Sequence, residues 1–127
     1  MNTNNIDKVL GQRVDSPTTY TPDILVREER QRNRTYLNIQ NDDLPFVGYD
    51  SWNAYEFSTL LTNGFPVSGW LKFTYDSDTP NIVESKSVKL YLNSYNMARL
   101  INSLDDIWTV EDQISKDLSN FFRSSLF

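Results

Sequence analysis

A short run of the sequence carries side chains that could do chemistry. The stretch IVESKSVKLYLNSYN, residues 82–96, places a carboxylate, two lysines and serines among apolar residues. Read as a strand, its alternation puts Glu84 on one face with Val88 and Leu90. A carboxylate on an apolar face costs several kcal/mol to bury unless it is paired or hydrogen-bonded. We therefore expect Glu84 to have a partner, which is either Lys86 on the same face or a ligand.

The side chains of this run suit a charged heterocyclic ligand. An ionised glutamate presents two oxygens side by side, which match two adjacent N–H donors such as those on the edge of a guanine or pterin. Lys86 and Lys89 offer cations for a phosphate. Ser85 and Ser87 add short hydroxyl donors. The residues alone leave two alternatives open, a ligand site and a structural ion pair on an edge strand, and spacing favours the ion pair.

Length and composition limit the other possibilities. The chain has 127 residues, a net charge of −5, and neither cysteine nor histidine. This length predicts one domain, and the acidic charge argues against a nucleic-acid partner. No apolar run approaches the roughly 20 residues of a membrane span, so we expect a cytoplasmic protein. Without thiolates or imidazoles, chemistry must use carboxylates, Lys, Ser or Tyr, or depend on another chain.

The sequence divides into an arm and one domain. Residues 1–22 are polar and turn-rich and predict an N-terminal arm, and residues 23–127 predict a single domain. Residues 23–30 contain a short apolar run that predicts a first strand. The charged REERQRNR that overlaps its end is typical of a solvated edge strand with self-paired charges. The aromatic-rich LPFVGYDSWNAYEF, residues 44–57, predicts a loop leading into a short helical or extended piece, with its aromatic residues in the core or a subunit interface. Asp50 in this segment is expected to make loop hydrogen bonds.

The second half of the chain predicts a hairpin followed by two helices. Alternation predicts strands at 66–76 and 82–92, joined by the turn-forming DSDTPN. Helical spacing then predicts one helix over 93–107 and another from about Thr109 with an apolar stripe. The expected fold is α+β, an antiparallel sheet with two helices packed on one face. A two-stranded sheet leaves an open edge, so we expect further strands beyond this chain, or partner chains that complete it.

Several motifs resemble one enzyme family. ESKSVKLYLNSYN resembles the signature ESKS(F/L)KLYLNSFN of the NADPH-dependent nitrile reductases, which convert 7-cyano-7-deazaguanine to 7-aminomethyl-7-deazaguanine in queuosine biosynthesis, a tRNA modification pathway. LGQRVDSPTTYTPDIL, RQRNR and LPFVGYDSWNAYEFSTLLTNGFPV are similar to the N-terminal half of the two-module form of that enzyme. The resemblance extends from about Leu10 to Leu118.

The resemblance implies a fold and a set of binding residues. It implies a tunnelling fold whose last strands are missing at the C-terminus, in a homo-oligomer. It implies that Val83, Glu84 and Ser85 bind the deazaguanine substrate. It also implies that Ser85 and Lys86 contact NADPH. Cysteine and histidine, the usual zinc ligands, are absent from the sequence, so we expect no metal.

The absence of cysteine limits what the resemblance implies. The family attaches the nitrile to a cysteine as a thioimide and reduces it with two hydrides from NADPH, because a nitrile needs a strong, soft nucleophile. This chain has no cysteine. The resemblance therefore implies a substrate-recognising half, inactive alone, that works with a cysteine-bearing second half or partner chain, and no catalytic residue is assigned here. The alternatives are a non-catalytic purine- or pterin-binding tunnelling-fold module and a structural subunit.

Overall fold

The computed structural model describes residues 17–124 and has an α+β fold. Short 3-10 turns at Pro22–Ile24 and Leu104–Asp106 supplement the main elements. In chain order the strands and helices are β1 Arg27–Glu29, α1 Arg30–Tyr36, β2 Tyr49–Leu61, β3 Pro66–Asp76, β4 Asn81–Val83, α2 Ser85–Asn93, β5 Arg99–Ile101 and α3 Ile107–Ser124. The α+β class is thus confirmed. Most of the expected arm, residues 1–16, lies outside the described residues.

The largest feature is an antiparallel hairpin of β2 and β3. Its turn closes with a hydrogen bond of 2.8 Å from the Leu61 amide to the Phe65 carbonyl, and Gly64 takes the positive φ of 88° that favours glycine. A bulge between Ala54 and Phe57 shifts the register of the hairpin. The alternation predicted for 66–76 is confirmed except at Gly69, because Val67, Leu71, Phe73 and Tyr75 are less exposed than their neighbours in the strand. The predicted pairing of this strand with 82–92 is wrong, since its partner is β2.

The sheet is mixed and not purely antiparallel. β5 pairs parallel with β2, matching Leu60 with Arg99 and Leu61 with Ile101, so the order is β3-β2-β5. β1 and β4 form a separate antiparallel pair, in which Arg27 faces Val83. This small pair ends directly at the start of α2 and therefore fixes where that helix begins.

The strand predicted for 82–92 is wrong after Val83. Residues Ser85–Asn93 form α2, because Val88, Tyr91 and Leu92 recur at helical spacing and are buried on one face. The alternation of polar and apolar letters in this run resembled a strand, but a helical stripe accounts for the same residues. The prediction that Glu84 shares one strand face with Val88 and Leu90 is therefore wrong as well.

The helix predicted for 93–107 is also wrong. This segment contains β5 and a 3-10 turn. Its apolar residues at 97, 100, 101, 104 and 107 have helical spacing, yet of these five only Ile101 is buried. A stripe that packs against nothing does not stabilise a helix in water.

The last helix is confirmed and carries much of the core. α3 begins at Ile107, two residues before the predicted start, and Thr109 donates to the Asp106 carbonyl at 2.7 Å without capping the helix. Its predicted stripe is buried. The core cluster consists of Leu25, Val83, Val88, Tyr91, Leu92, Tyr95, Ile101, Val110, Ile114, Leu118 and Phe121.

The charged REERQRNR is the predicted edge strand only in part, because Arg27–Glu29 form β1 in a two-stranded sheet with β4 and the helix begins at Arg30. Within α1, Arg34 is buried, donating to Asn41 Oδ1 at 2.8 Å and to the Ser77 carbonyl at 2.7 Å. Arg30 pairs with Asp50 across 2.5 Å, so that carboxylate links α1 to the start of β2. Burial, followed by the neighbouring Arg30 charge, lowers the pKa of Arg34.

Three tyrosines converge on one carboxylate inside the domain. Asp117 Oδ2 on α3 accepts from Tyr91 at 2.6 Å and from Tyr20 at 2.5 Å, and the Tyr95 hydroxyl lies 2.9 Å from that of Tyr91. The network joins α2, α3 and the segment before β1. Burial, more than the hydrogen bonds and the carboxylate charge, raises the pKa of Tyr91 far above its usual value, and burial likewise raises the pKa of Tyr20 and Tyr95.

We expect the domain to lose stability in alkali through this network. The folded state keeps the Tyr91 proton above pH about 10, where the unfolded chain releases it, so stability is complete below that pH and is lost as the pH rises. Each such tyrosine steepens the loss by about 1.4 kcal/mol per pH unit. Tyr91→Phe should lower stability at neutral pH and flatten the slope, measured by urea denaturation from about pH 8 to pH 12. An equal slope in both proteins would contradict this account.

Candidate functional site

Glu84 caps the N-terminus of α2. Its backbone is extended, with φ −73° and ψ 135°, and its side chain folds back onto the first turn of the helix. Oε2 accepts from the Lys86 amide at 2.7 Å, and Oε1 accepts from the Ser87 amide at 3.0 Å. The first amides of a helix have no partner within it, and a negative charge there is favoured by the helix dipole. The partner that Glu84 needed is thus the main chain of its own helix.

The backbone of Glu84 is fixed as firmly as its side chain. The Glu84 amide donates to the Val26 carbonyl at 2.8 Å, next to the β1–β4 pairing. Its carbonyl accepts from Ser87 Oγ at 2.8 Å and from the Val88 amide at 3.1 Å. Glu84 is only 6% exposed. A buried carboxylate held in this way has a defined position and orientation.

The carboxylate keeps capacity for a ligand. An ionised carboxylate has about four acceptor positions, and the contacts to α2 use one on each oxygen. Each oxygen can therefore accept one more N–H. A glutamate at this position also indicates a role beyond capping, because helix N-caps are normally Ser, Thr, Asp or Asn, whose shorter side chains reach the first amides of the helix. The extra methylene of Glu84 is not needed for capping.

The other predicted binding residues lie in one continuous segment with Glu84. Val83 is 1% exposed, main chain included, and its side chain belongs to the core. Ser85 is exposed at the first position of α2, and Lys86 is half-buried at the second. The structure therefore gathers all four residues where β4 ends and α2 begins.

The structural role of Ser87 is not predicted by the sequence, which indicates only a hydroxyl donor to a ligand. In the structure Ser87 is fully buried and contacts Glu84 and Val26. The signal that could have revealed this is a hydrogen-bonding residue three positions after a possible N-cap, which is the spacing of capping contacts.

Two cavities among the described residues are lined by other elements and not by this segment. The larger cavity, about 720 Å³, runs between β3 and α3 and is walled by apolar residues such as Leu71, Phe73 and Ile114. The smaller one, about 160 Å³, lies beside Phe46 and Ser77.

Within residues 17–124 no group of acidic side chains could hold a metal ion, and none of the helices there is long and apolar enough to cross a membrane.

Comparison with known proteins identifies the family. Residues 16–126 match the family described as "Nitrile reductase, 7-cyano-7-deazaguanine-reductase N-term". The chain belongs to this family. The motif around Glu84 thus resembled the nitrile reductases because the chain is related to them.

Individual nitrile reductases are similar over the same region. A protein of Azoarcus sp. (strain BH72) is 46% identical over 110 residues, which are 87% of this chain and 38% of that protein. One of Bordetella parapertussis is 44% identical over 110 residues, with the same two shares. One of Rickettsia prowazekii is 43% identical over 112 residues, 88% of this chain and 40% of that protein. All three are named NADPH-dependent 7-cyano-7-deazaguanine reductase. The chain spans about two fifths of the length of these relatives.

Removing the cap should destabilise the domain measurably. In Glu84→Ala the Lys86 and Ser87 amides lose their acceptors, and the loss of an N-cap typically costs about 1 kcal/mol. We expect the free energy of unfolding to fall by about 1–2 kcal/mol in urea denaturation. The matched control is Glu111→Ala, an exposed carboxylate near the start of α3, which should change it by less than about 0.5 kcal/mol. Equal losses in the two variants would show that the cap contributes nothing special.

Proposed function

We propose that this chain is the substrate-recognition part of an NADPH-dependent nitrile reductase that converts 7-cyano-7-deazaguanine to 7-aminomethyl-7-deazaguanine in queuosine biosynthesis. The observation that carries the proposal is a buried carboxylate, held by two amides with acceptor capacity to spare, in a chain of this family. The fold we propose for the assembled protein is the tunnelling fold. We place it in the cytoplasm, where tRNA precursors are made.

Glu84 is the residue that recognises the base. Its two oxygens each accept one N–H from the pyrimidine edge of the deazaguanine while keeping their bonds to α2. Charge-assisted hydrogen bonds of this kind contribute about 1.5–3 kcal/mol each. Val83 contacts the substrate from the same segment. Ser85 adds an exposed hydroxyl beside it.

Ser85 and Lys86 suit NADPH, which supplies the hydrides when it is bound. A phosphate often binds the free amides of a helix N-terminus, but here Glu84 already occupies the amides of Lys86 and Ser87. The groups of these two residues that suit a cofactor phosphate are therefore the charge of the Lys86 ammonium and the hydroxyl of Ser85. An ammonium is a common phosphate partner, so this donor set fits the cofactor.

The nucleophile comes from a cysteine-bearing second half or partner chain. None of the 127 residues is a cysteine, and addition to a nitrile needs a thiolate. The binding segment also lines neither of the two cavities described above. A site shared between this chain and another part of a homo-oligomer accounts for both observations.

Glu84→Asp separates recognition from capping. Aspartate is a good N-cap, so stability should stay within about 0.5 kcal/mol. The carboxylate retreats by about 1.5 Å, the length of one C–C bond, and affinity for 7-cyano-7-deazaguanine should fall at least about tenfold. Glu84→Gln keeps the length but loses the charge, and should weaken binding by at least about 1.5 kcal/mol. Titration calorimetry measures both, on the chain assembled with its cysteine-bearing part if it does not bind alone.

Two results would favour the alternatives to this proposal. Unchanged affinity in both Glu84 variants, or no binding in any assembly, would favour a structural subunit in which Glu84 is only a cap. Binding that depends on Glu84 without reduction in any assembly would favour a non-catalytic binding module.

Activity should require the second part. We expect the chain alone to leave NADPH unoxidised in the presence of the nitrile, because it has no thiolate to form a reducible adduct. Addition of the cysteine-bearing part should start NADPH oxidation, followed by absorbance, and two NADPH should be consumed for each amine formed. The control is the same mixture with that cysteine replaced by alanine. Amine formation by the chain alone would refute the proposal that the nucleophile comes from a second half or partner chain.

A further inference from the structure

Ser87 contacts both the backbone and the side chain of Glu84. Its amide donates to Glu84 Oε1 at 3.0 Å, and its hydroxyl donates to the Glu84 carbonyl at 2.8 Å. The same hydroxyl accepts from the Val26 amide at 2.9 Å. Ser87 is fully buried, so it does not offer its hydroxyl to a ligand in solvent.

These contacts close a ring between Val26, the residue before β1, and the start of α2. The Val26 carbonyl accepts from the Glu84 amide at 2.8 Å, and the Val26 amide donates to the Ser87 hydroxyl, so both main-chain polar groups of one residue hold the Glu84–Ser87 turn. Val26 is 2% exposed. Without the hydroxyl, the Val26 amide would be buried without an acceptor, and the chain would have to shift or admit water to satisfy it.

We propose that Ser87 is the positioning residue of the recognition site: by holding Val26 and Glu84 together it fixes the direction in which the Glu84 carboxylate presents its free acceptors. This inference rests on the proposed role of Glu84 and assigns no substrate contact to Ser87. Two hydrogen bonds to one ring edge need both oxygens in place at once, and binding falls steeply when such a group is displaced by a fraction of an ångström.

Ser94 provides a matched control. Ser94 is also fully buried, and it is the residue that follows the last residue of α2. Its hydroxyl donates to the Tyr91 carbonyl, three residues earlier, at 2.5 Å. This is the same local bond that Ser87 makes to Glu84. Ser94 lies two turns away and contacts neither Val26 nor Glu84, so Ser94→Ala removes a buried hydroxyl without affecting the recognition segment.

The first test needs no ligand. The Lys86 amide lies in the first turn of α2, where its acceptor is the Glu84 carboxylate, so its protection from hydrogen exchange reports the position of that side chain. In Ser87→Ala, NMR should show protection of the Lys86 amide falling at least about tenfold relative to the unchanged chain, after correction for global stability. Ser94→Ala should leave it within about twofold. Unchanged protection in Ser87→Ala would overturn the inference.

The second test links Ser87 to recognition. Ser87→Ala should weaken binding of 7-cyano-7-deazaguanine about tenfold, but less than about twofold when it is added to Glu84→Gln, because Ser87 acts through that carboxylate. Ser94→Ala should bind normally. Additive effects of Ser87→Ala and Glu84→Gln would overturn the inference. If the Lys86 amide loses protection while no variant changes affinity, the carboxylate is positioned by Ser87 but the proposed recognition function is the part that fails.

Discussion

Two main-chain amides at the start of α2 hold the carboxylate of Glu84, and the arrangement of residues 83–87 depends on this contact. The helix needs an acceptor for its first amides, and a charge buried to 6% exposure needs donors. The carboxylate supplies the acceptor for the amides, and the amides supply the donors for the carboxylate. The result is a charged group that is inexpensive to bury in this position and that retains one free acceptor position on each oxygen.

The rest of the domain serves to place the start of α2. β1 and β4 bring Val26 beside Glu84, and the core residues of α2 and α3 hold the helix from its other side. The Asp117 network adds a polar connection between α2, α3 and the segment around Tyr20. Because the helix is anchored by both apolar packing and buried hydrogen bonds, its N-terminus has little freedom to move. A rigid site of this kind loses little entropy when a flat heterocycle binds.

Sequence reasoning succeeded where one physical signal dominated. The α3 stripe of Val110, Ile114 and Leu118 and the alternation of β3 were predicted correctly because each element buries one face. The segment from Glu84 was misread as a strand because a period of two places Glu84 with Val88 and Leu90. The buried Val88, Tyr91 and Leu92 instead follow the spacing of a helix. The motif still identified the family, since a motif depends on residue identity and not on the predicted backbone. The role of Ser87 could not be predicted, because it depends on Val26, which is 61 residues away.

We propose that another part of the protein encloses the Glu84 segment, which does not line the cavity between β3 and α3 or the one beside Phe46. A crystal structure of the assembled reductase with 7-cyano-7-deazaguanine tests the central claim most directly. We predict that both Glu84 oxygens lie within hydrogen-bond distance of ring N–H groups while each keeps its amide bond to α2. A ligand bound away from Glu84, or a Glu84 side chain rotated off the helix to reach it, would contradict the claim that one carboxylate caps the helix and recognises the base.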